Sequence, residues 1–177
     1  MKKIDGGVTA AQGFEAAGVA SGIRKKGRLD MAIVYSQKPC QVAGAFTTNV
    51  VKAAPVKWDQ KIVKESAYAQ AVVVNSGIAN ACTGAEGYGY CQETAEKMSE
   101  VLGIPTEAVL VGSTGVIGMQ LPMDKITAGV EQLVEVKNTS IEAGTAAAQA
   151  IMTTDTCKKE IALQVEIDGV TVTIGGM

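Results

Sequence analysis

Val109-Leu110-Val111-Gly112-Ser113-Thr114-Gly115-Val116-Ile117-Gly118 joins a short apolar run of β character to a run of glycine and small polar residues. Such a run lies in a buried sheet and delivers Ser113-Thr114-Gly115 to the turn at its end. Gly115 lets a backbone N–H approach a ligand closely, and the Thr114 hydroxyl is a second donor. Two donors at one turn can hold the oxygen of a tetrahedral intermediate. Small residues after a strand also serve as a plain tight turn, and spacing alone leaves both readings open.

The same pattern occurs upstream. Ala69-Gln70-Ala71-Val72-Val73-Val74-Asn75 is the clearest buried strand, and it empties into Ser76-Gly77-Ile78-Ala79-Asn80-Ala81-Cys82-Thr83-Gly84. Two strands ending in such loops suggest one shared pocket at one end of a sheet, with two unrelated surface turns as the alternative. Met31-Ala32-Ile33-Val34-Tyr35 reads as another buried strand, with Val42-Ala43-Gly44-Ala45-Phe46-Thr47 as its neighbour. Residues 6–22 are rich in glycine and alanine and read as a close-packed loop or a weak strand. Lys52-Ala53-Ala54-Pro55-Val56 reads as irregular, because Pro55 biases Ala54 away from the helical region.

Three helices follow from periodicity and caps. Cys91, Ala95, Met98 and Leu102 share one face, with Gly103 and Pro105 as the stop. A second helix opens at Pro122 and buries Ile126, Val130, Leu133 and Val134. A third starts from a capping box, Thr139 with Glu142, and runs along an alanine-rich face to Met152. At the C-terminal end, Leu163, Val165 and Ile167 precede Asp168-Gly169, and Val170, Val172 and Ile174 follow. Asp-Gly between alternating apolar residues is a strong β-hairpin signal. Strands mixed with amphipathic helices, and no internal repeat or linker, predict one α/β domain over 1–177 with mixed sheets packed against helices.

Composition narrows the chemistry. The chain has 177 residues, 47% of them hydrophobic and only 4% aromatic, so its core is built from Ala, Val, Ile and Leu. A net charge of −2 argues against nucleic acid as the main partner. With no histidine, the chain by itself builds no Ser-His-Asp triad, Cys-His pair or His-ligated metal site. Cys40, Cys82, Cys91 and Cys157 show no Cys-x-x-Cys spacing. No secretory h-region opens the chain and no apolar run reaches transmembrane length. The expectation is a cytoplasmic protein with buried, reduced thiols, no bound metal and no cofactor. Thr153-Thr154-Asp155-Thr156 stands where the third helix should end. It reads either as a helix-end cap or as a polar wall for a small substrate bearing amine or carboxylate groups.

The ordered set of motifs carries a family resemblance. Gly7-Val8-Thr9-Ala10-Ala11-Gln12-Gly13-Phe14, Phe46-Thr47-Thr48-Asn49 and Ala53-Ala54-Pro55-Val56 come first. The Asn75–Gly84 loop, Ser113-Thr114-Gly115-Val116-Ile117-Gly118 and Leu121-Pro122-Met123 follow. Ile151-Met152-Thr153-Thr154-Asp155-Thr156 and Gly175-Gly176-Met177 complete it. Together they closely resemble the N-terminal (α) chain of the bifunctional ornithine acetyltransferases of arginine biosynthesis. The resemblance implies a self-cleaving fold of N-terminal-nucleophile type, in which a precursor breaks before a threonine into α and β chains that stay together as an (αβ)2 heterotetramer. It implies transfer of acetyl from N-acetylornithine to glutamate through an acetyl-threonine on the β chain, with acetyl-CoA as a further donor in some members. A threonine whose own α-amine serves as base needs no histidine. By the same resemblance, Thr114 and Gly115 stabilise the oxyanion and Thr153 contacts the acylated substrate.

The pattern departs from the family at Ile78, where asparagine is usual. It also ends at Gly175-Gly176-Met177, ahead of the family's Lys-Gly-Ser-Gly-Met and Pro-Asn-Met-Ala segments, so the substrate lysine and the nucleophile are expected on polypeptide other than this. Two rivals remain at this stage. One is a related self-cleaving aminopeptidase or amidohydrolase, which would hydrolyse its acyl-enzyme. The other is a non-catalytic binding subunit whose glycine loops are purely structural.

Overall fold

The computed structural model describes residues 1–25, 27–66 and 68–177. Its main sheet has four strands: β2 (Phe14–Val19), β3 (Met31–Gln41), β4 (Tyr68–Ile78) and β5 (Val109–Val116), hydrogen-bonded in that order. β2, β3 and β4 pair antiparallel, whereas β5 runs parallel to β4. A parallel neighbour requires a crossover, and helix α2 (Glu86–Leu102) supplies it. A second sheet joins β1 (Lys2–Ile4) to the hairpin of β6 (Ile161–Ile167) and β7 (Val170–Gly176). The α/β class with mixed sheets packed against helices is therefore the observed one.

Alternation along the strands divides the main sheet into two unlike faces. Met31, Ile33, Val73, Val109 and Val111 point to one face and are buried. They pack under α2, α1 (Ala54–Glu65) and α3 (Met123–Val136), through Met98, Ile62, Ile126 and Leu133 among others. Each fully buried aliphatic side chain of this kind contributes roughly 1.5–3 kcal/mol. The opposite face is lined by alanine. Ala16 and Ala32 meet Ala147 and Ala150 of α4 (Ile141–Ala150), and the helix comes so close that a Cβ on Gly18 would stand 2.3 Å from the Ala146 carbonyl oxygen.

Several boundaries differ from those expected. Lys52–Val56 is not irregular: Ala53 is the extended N-cap and Pro55 lies in the first turn of α1. A proline costs nothing there, because first-turn N–H groups have no helical partner. Val42–Thr47 forms no strand, and the partners of β3 are β2 and β4. The second predicted helix starts at Met123, with Pro122 as its N-cap. The third is capped by Ser140, not Thr139; its Oγ accepts the Ala143 N–H at 3.1 Å, and the helix stops at Ala150 rather than Met152. Ser113-Thr114-Gly115 is not a turn after the strand, since β5 runs through it to Val116.

The thiols are all free, but only Cys91 is buried; Cys82 and Cys157 are exposed. The hairpin is as expected, with Asp168 (φ 50°) and Gly169 (φ 79°) both in the left-handed conformation of a type I′ turn.

The free edge of β5 is sealed by α1. Trp58 Nε1 donates to the Val109 carbonyl at 3.0 Å, and the Val111 N–H donates to Asp59 Oδ1 at 3.0 Å. Burial pushes the Asp59 carboxyl up to about 6 against the opposing pull of that N–H. Burial, helped by the Asp59 carboxylate, pushes the neighbouring Cys91 thiol up to about 12. Folded Asp59 keeps its proton up to about pH 6, whereas an ordinary aspartate releases it near 3.8. The folded state therefore binds the extra proton between these values, and stability falls as pH rises through that window. Asp59→Asn, which keeps an oxygen for the Val111 N–H, is expected to remove this fall. In urea unfolding the variant should exceed the parent at pH 7 by on the order of 1 kcal/mol after solvent screening, and lose that advantage near pH 4. A variant weaker than the parent at pH 7 refutes the assignment.

Candidate functional site

Parallel pairing brings the two glycine-rich segments to one end of the sheet. Asn75 stands opposite Ser113, Ser76 opposite Thr114, and Gly77 opposite Gly115. Gly77 and Gly115 have φ of 108° and 136°, conformations that other residues rarely adopt. At Gly115 the space is also closed, because a Cβ would lie 2.3 Å from the Gly77 carbonyl carbon. The strand ends thus pass each other backbone to backbone.

Side chains lock the loops that follow. Ser113 Oγ accepts the Asn80 N–H at 2.9 Å and donates to the Ile78 carbonyl at 3.2 Å. Asn75 Nδ2 donates to that same carbonyl at 2.8 Å, and the Ala79 N–H donates to the Val116 carbonyl at 2.9 Å. Asn80 is itself buried, donating to the Gly87 carbonyl and accepting from Thr83.

Two further segments complete the walls of a cleft of about 570 Å³. The first, the β2–β3 connection, is organised by Asp30, whose side chain is fully buried. Asp30 accepts three hydrogen bonds: from the Ser21 N–H at 2.7 Å, from Ser21 Oγ at 2.9 Å and from the Arg24 N–H at 2.8 Å. The second is the chain leaving α4. Ser76 Oγ donates to the Ala150 carbonyl at 2.5 Å, and an Arg24 guanidinium N–H donates to the Met152 carbonyl at 2.5 Å. These two bonds lay Thr153 and Thr154 against the cleft, where Gly77 and Gly115 form the opposite side.

Gly115 and Thr153 therefore line the same cleft. Thr114 sits one residue back on β5, half-buried, and its hydroxyl has no hydrogen-bond partner among the described residues. In a parallel strand the N–H and C=O of one residue point to the same side, and successive residues alternate. Val109 and Val111 turn theirs outward to α1. The alternation carries the same sense to Ser113, and Gly115, at φ 136°, then leaves regular strand geometry.

Asp155 donates nothing to the cleft. The Lys159 ammonium beside it holds its carboxyl below the usual carboxylate range, and it accepts the Thr153 N–H at 3.4 Å. The second half of the Ser76–Gly84 segment goes elsewhere. Cys82, Thr83 and Gly84 line a separate cavity against Lys52 and Lys57 at the start of α1.

Sequence reasoning missed Asp30, Ser21 and Arg24. Arg24 belongs to Arg24-Lys25-Lys26-Gly27-Arg28, a stretch with no motif that points to a site. A single aspartate before an apolar strand carries no signal that it will be buried among three donors. Val116, Ile117 and Met119 on the rim are 63%, 60% and 55% exposed, so an apolar lip stands open beside the cleft.

Residues 15–177 match the ArgJ family, and the chain belongs to it. It is 47% identical over 175 residues to the arginine biosynthesis bifunctional protein ArgJ of Gloeobacter violaceus, across 98% of this chain and 42% of that relative. Its fold matches the crystal structure of arginine biosynthesis bifunctional protein ArgJ from Bacillus halodurans with a TM-score of 0.94 at 42% identity, over 99% of this chain and 91% of that one. It matches the ornithine acetyltransferase of Mycobacterium tuberculosis complexed with ornithine with a TM-score of 0.90 at 43% identity, over 99% of this chain and 93% of that one. The chain spans about two fifths of the length of the curated relatives it matches.

The closed space at Gly115 predicts its substitution. Gly115→Ala adds a Cβ into the Gly77 backbone in a left-handed conformation, and should cost about 2 kcal/mol or more in chemical denaturation. A stability within experimental error of the parent would mean that the two strand ends do not meet as described.

Proposed function

We propose that this chain is the α portion of a glutamate N-acetyltransferase that moves acetyl from N2-acetyl-L-ornithine to L-glutamate in cytoplasmic arginine biosynthesis. Residues 1–177 act as one α/β domain in this reading, completed by a β chain from the same self-cleaved precursor in an (αβ)2 assembly. The observation that carries it is that Gly115, at the exposed end of β5, lines one cleft with Thr153. Membership of the ArgJ family supplies the reaction.

The division of labour follows from what the chain holds. It has no histidine, and its buried Cys91 is held as a thiol far from the nucleophilic range. The nucleophile is the N-terminal threonine of the β chain, with its own α-amine as base. Its oxygen bonds to the acetyl carbonyl carbon, and the carbonyl oxygen takes up negative charge. The Gly115 N–H and the Thr114 hydroxyl hold that oxyanion. Collapse breaks the bond to the ornithine α-nitrogen, which leaves with the proton held by the base. The α-amine of glutamate then attacks the acetyl-threonine by the same steps in reverse. Thr153 contacts the acylated amino acid.

Support for the partner comes from uncovered apolar surface. On the β6–β7 hairpin, Ile167, Val170 and Ile174 are more than half exposed on one face, Ile167 standing opposite Val170 and Ile174 opposite Leu163. Apolar patches of this kind mark interaction surfaces.

The direct test is acetyl transfer from N-acetylornithine to glutamate by the complex purified from uncleaved precursor. Transfer with a trapped acetyl-threonine is expected; hydrolysis without transfer would overturn the reading. Thr114→Ala should leave folding nearly intact and lower turnover by more than about tenfold, because one oxyanion donor contributes about 2.7–4 kcal/mol. Unchanged turnover would remove Thr114 from the oxyanion site.

A further inference from the structure

We propose that Arg24 is the carboxylate-binding residue of the cleft, with its guanidinium receiving the α-carboxylate of the amino-acid substrates; this rests on the acetyltransferase reading above. The side chain is fixed at three points. Its backbone N–H is tied to buried Asp30 at 2.8 Å. Its stem lies over Gly77, where a Cβ would come within 2.7 Å of Arg24 Cγ. Its head donates to the Met152 carbonyl at 2.5 Å, next to Thr153.

A guanidinium carries five N–H donors, and this bond uses one of them. The ion pairs among the described residues involve Lys97, Lys137, Lys158 and Lys159, never Arg24. A half-buried cation thus stands ordered in a cleft whose lining contains no carboxylate. Charges removed from water are costly unless paired, so the arrangement suits an incoming anion. The planar fork of arginine matches a carboxylate through two parallel hydrogen bonds.

The chemistry of the exchange specifies which carboxylate. Acetylornithine and glutamate differ in side chain and in its charge, yet share the α-nitrogen that carries acetyl and the α-carboxylate beside it. A site that must take both in turn can hold them alike only through that common part. Arg24 and Gly115 lie on the same cleft, so one can receive the carboxylate while the other receives the acetyl oxygen.

Arg24 also closes off the chain end of α4 through Met152, and the test must separate the two roles. The αβ complex, with Arg24→Gln and Arg24→Lys, is assayed on N2-acetylornithine and on its α-carboxamide. The wild-type complex is expected to favour the carboxylate by about 100-fold or more in kcat/KM. Arg24→Gln should reduce that preference to a few-fold, with the loss in KM for the carboxylate substrate, and Arg24→Lys should restore part of it. A preference unchanged in Arg24→Gln overturns the inference. So does an equal loss on both substrates in Arg24→Gln and Arg24→Lys, which is what a cap on α4 alone would produce. A wild-type complex that transfers acetyl to glutamate from neither donor removes the acetyltransferase reading and this inference together.

Discussion

The close passage of Gly115 over the Gly77 backbone governs this molecule. Parallel strands hold a fixed register only if every pair along them fits, and here the next-to-last pair, Gly77 with Gly115, fits only without side chains. That contact fixes where β5 ends relative to β4. The ends in turn fix the loops, because Ser113, Asn75 and Ala79 bond across them within a few residues. The same missing side chain at Gly77 leaves the space that the stem of Arg24 occupies. One steric constraint therefore sets the strand register, the shape of the cleft floor and the path of the charged side chain in its wall.

The rest of the scaffold holds that end in place from both sides of the sheet. On one side α1 binds the outward groups of β5 through Trp58 and Asp59. On the other, α4 packs on alanines and delivers the carbonyls of Ala150 and Met152 to Ser76 and Arg24. Asp30 closes the circuit. Its carboxylate gathers the β2–β3 connection, while its own carbonyl accepts the Ser76 N–H at 2.8 Å. Buried polar groups are costly unless fully bonded, so such a network favours one arrangement of the loops over its alternatives.

What could be read in advance followed from periodicity and turn chemistry. α2 announces itself by Cys91, Ala95 and Met98 on one face and by Gly103, left-handed at φ 68°, after the last turn. The hairpin announces itself by Asp168-Gly169. The misses have physical reasons as well. Pro55 disfavours a helical conformation at its predecessor, yet its place in the first turn of α1 is what counts. Val42–Thr47 has strand composition, but β3 already has neighbours on both edges. Ser113-Thr114-Gly115 looks like a turn because its residues are small, yet smallness is what lets the strand continue past Gly77. The cleft was legible only as two loops at one sheet end. Arg24 and Asp30 were not, because their roles arise from contacts between segments distant in sequence.

A cleft assembled this way suits one half of a divided reaction. Holding a developing negative charge needs donors that are already aimed, since a group that must reorient costs part of what it contributes. A backbone N–H on a strand sealed by neighbours meets that need better than a side chain on a loop. A nucleophile has the opposite need: it must reach the carbonyl, exchange a proton and be freed for a second acyl acceptor. The chain is rich in the first kind of group and has no histidine for the second. Its apolar lip at Val116 and Ile117 stands open beside the cleft. Rigidity at the end of β5 and openness at its rim are then two requirements of one design.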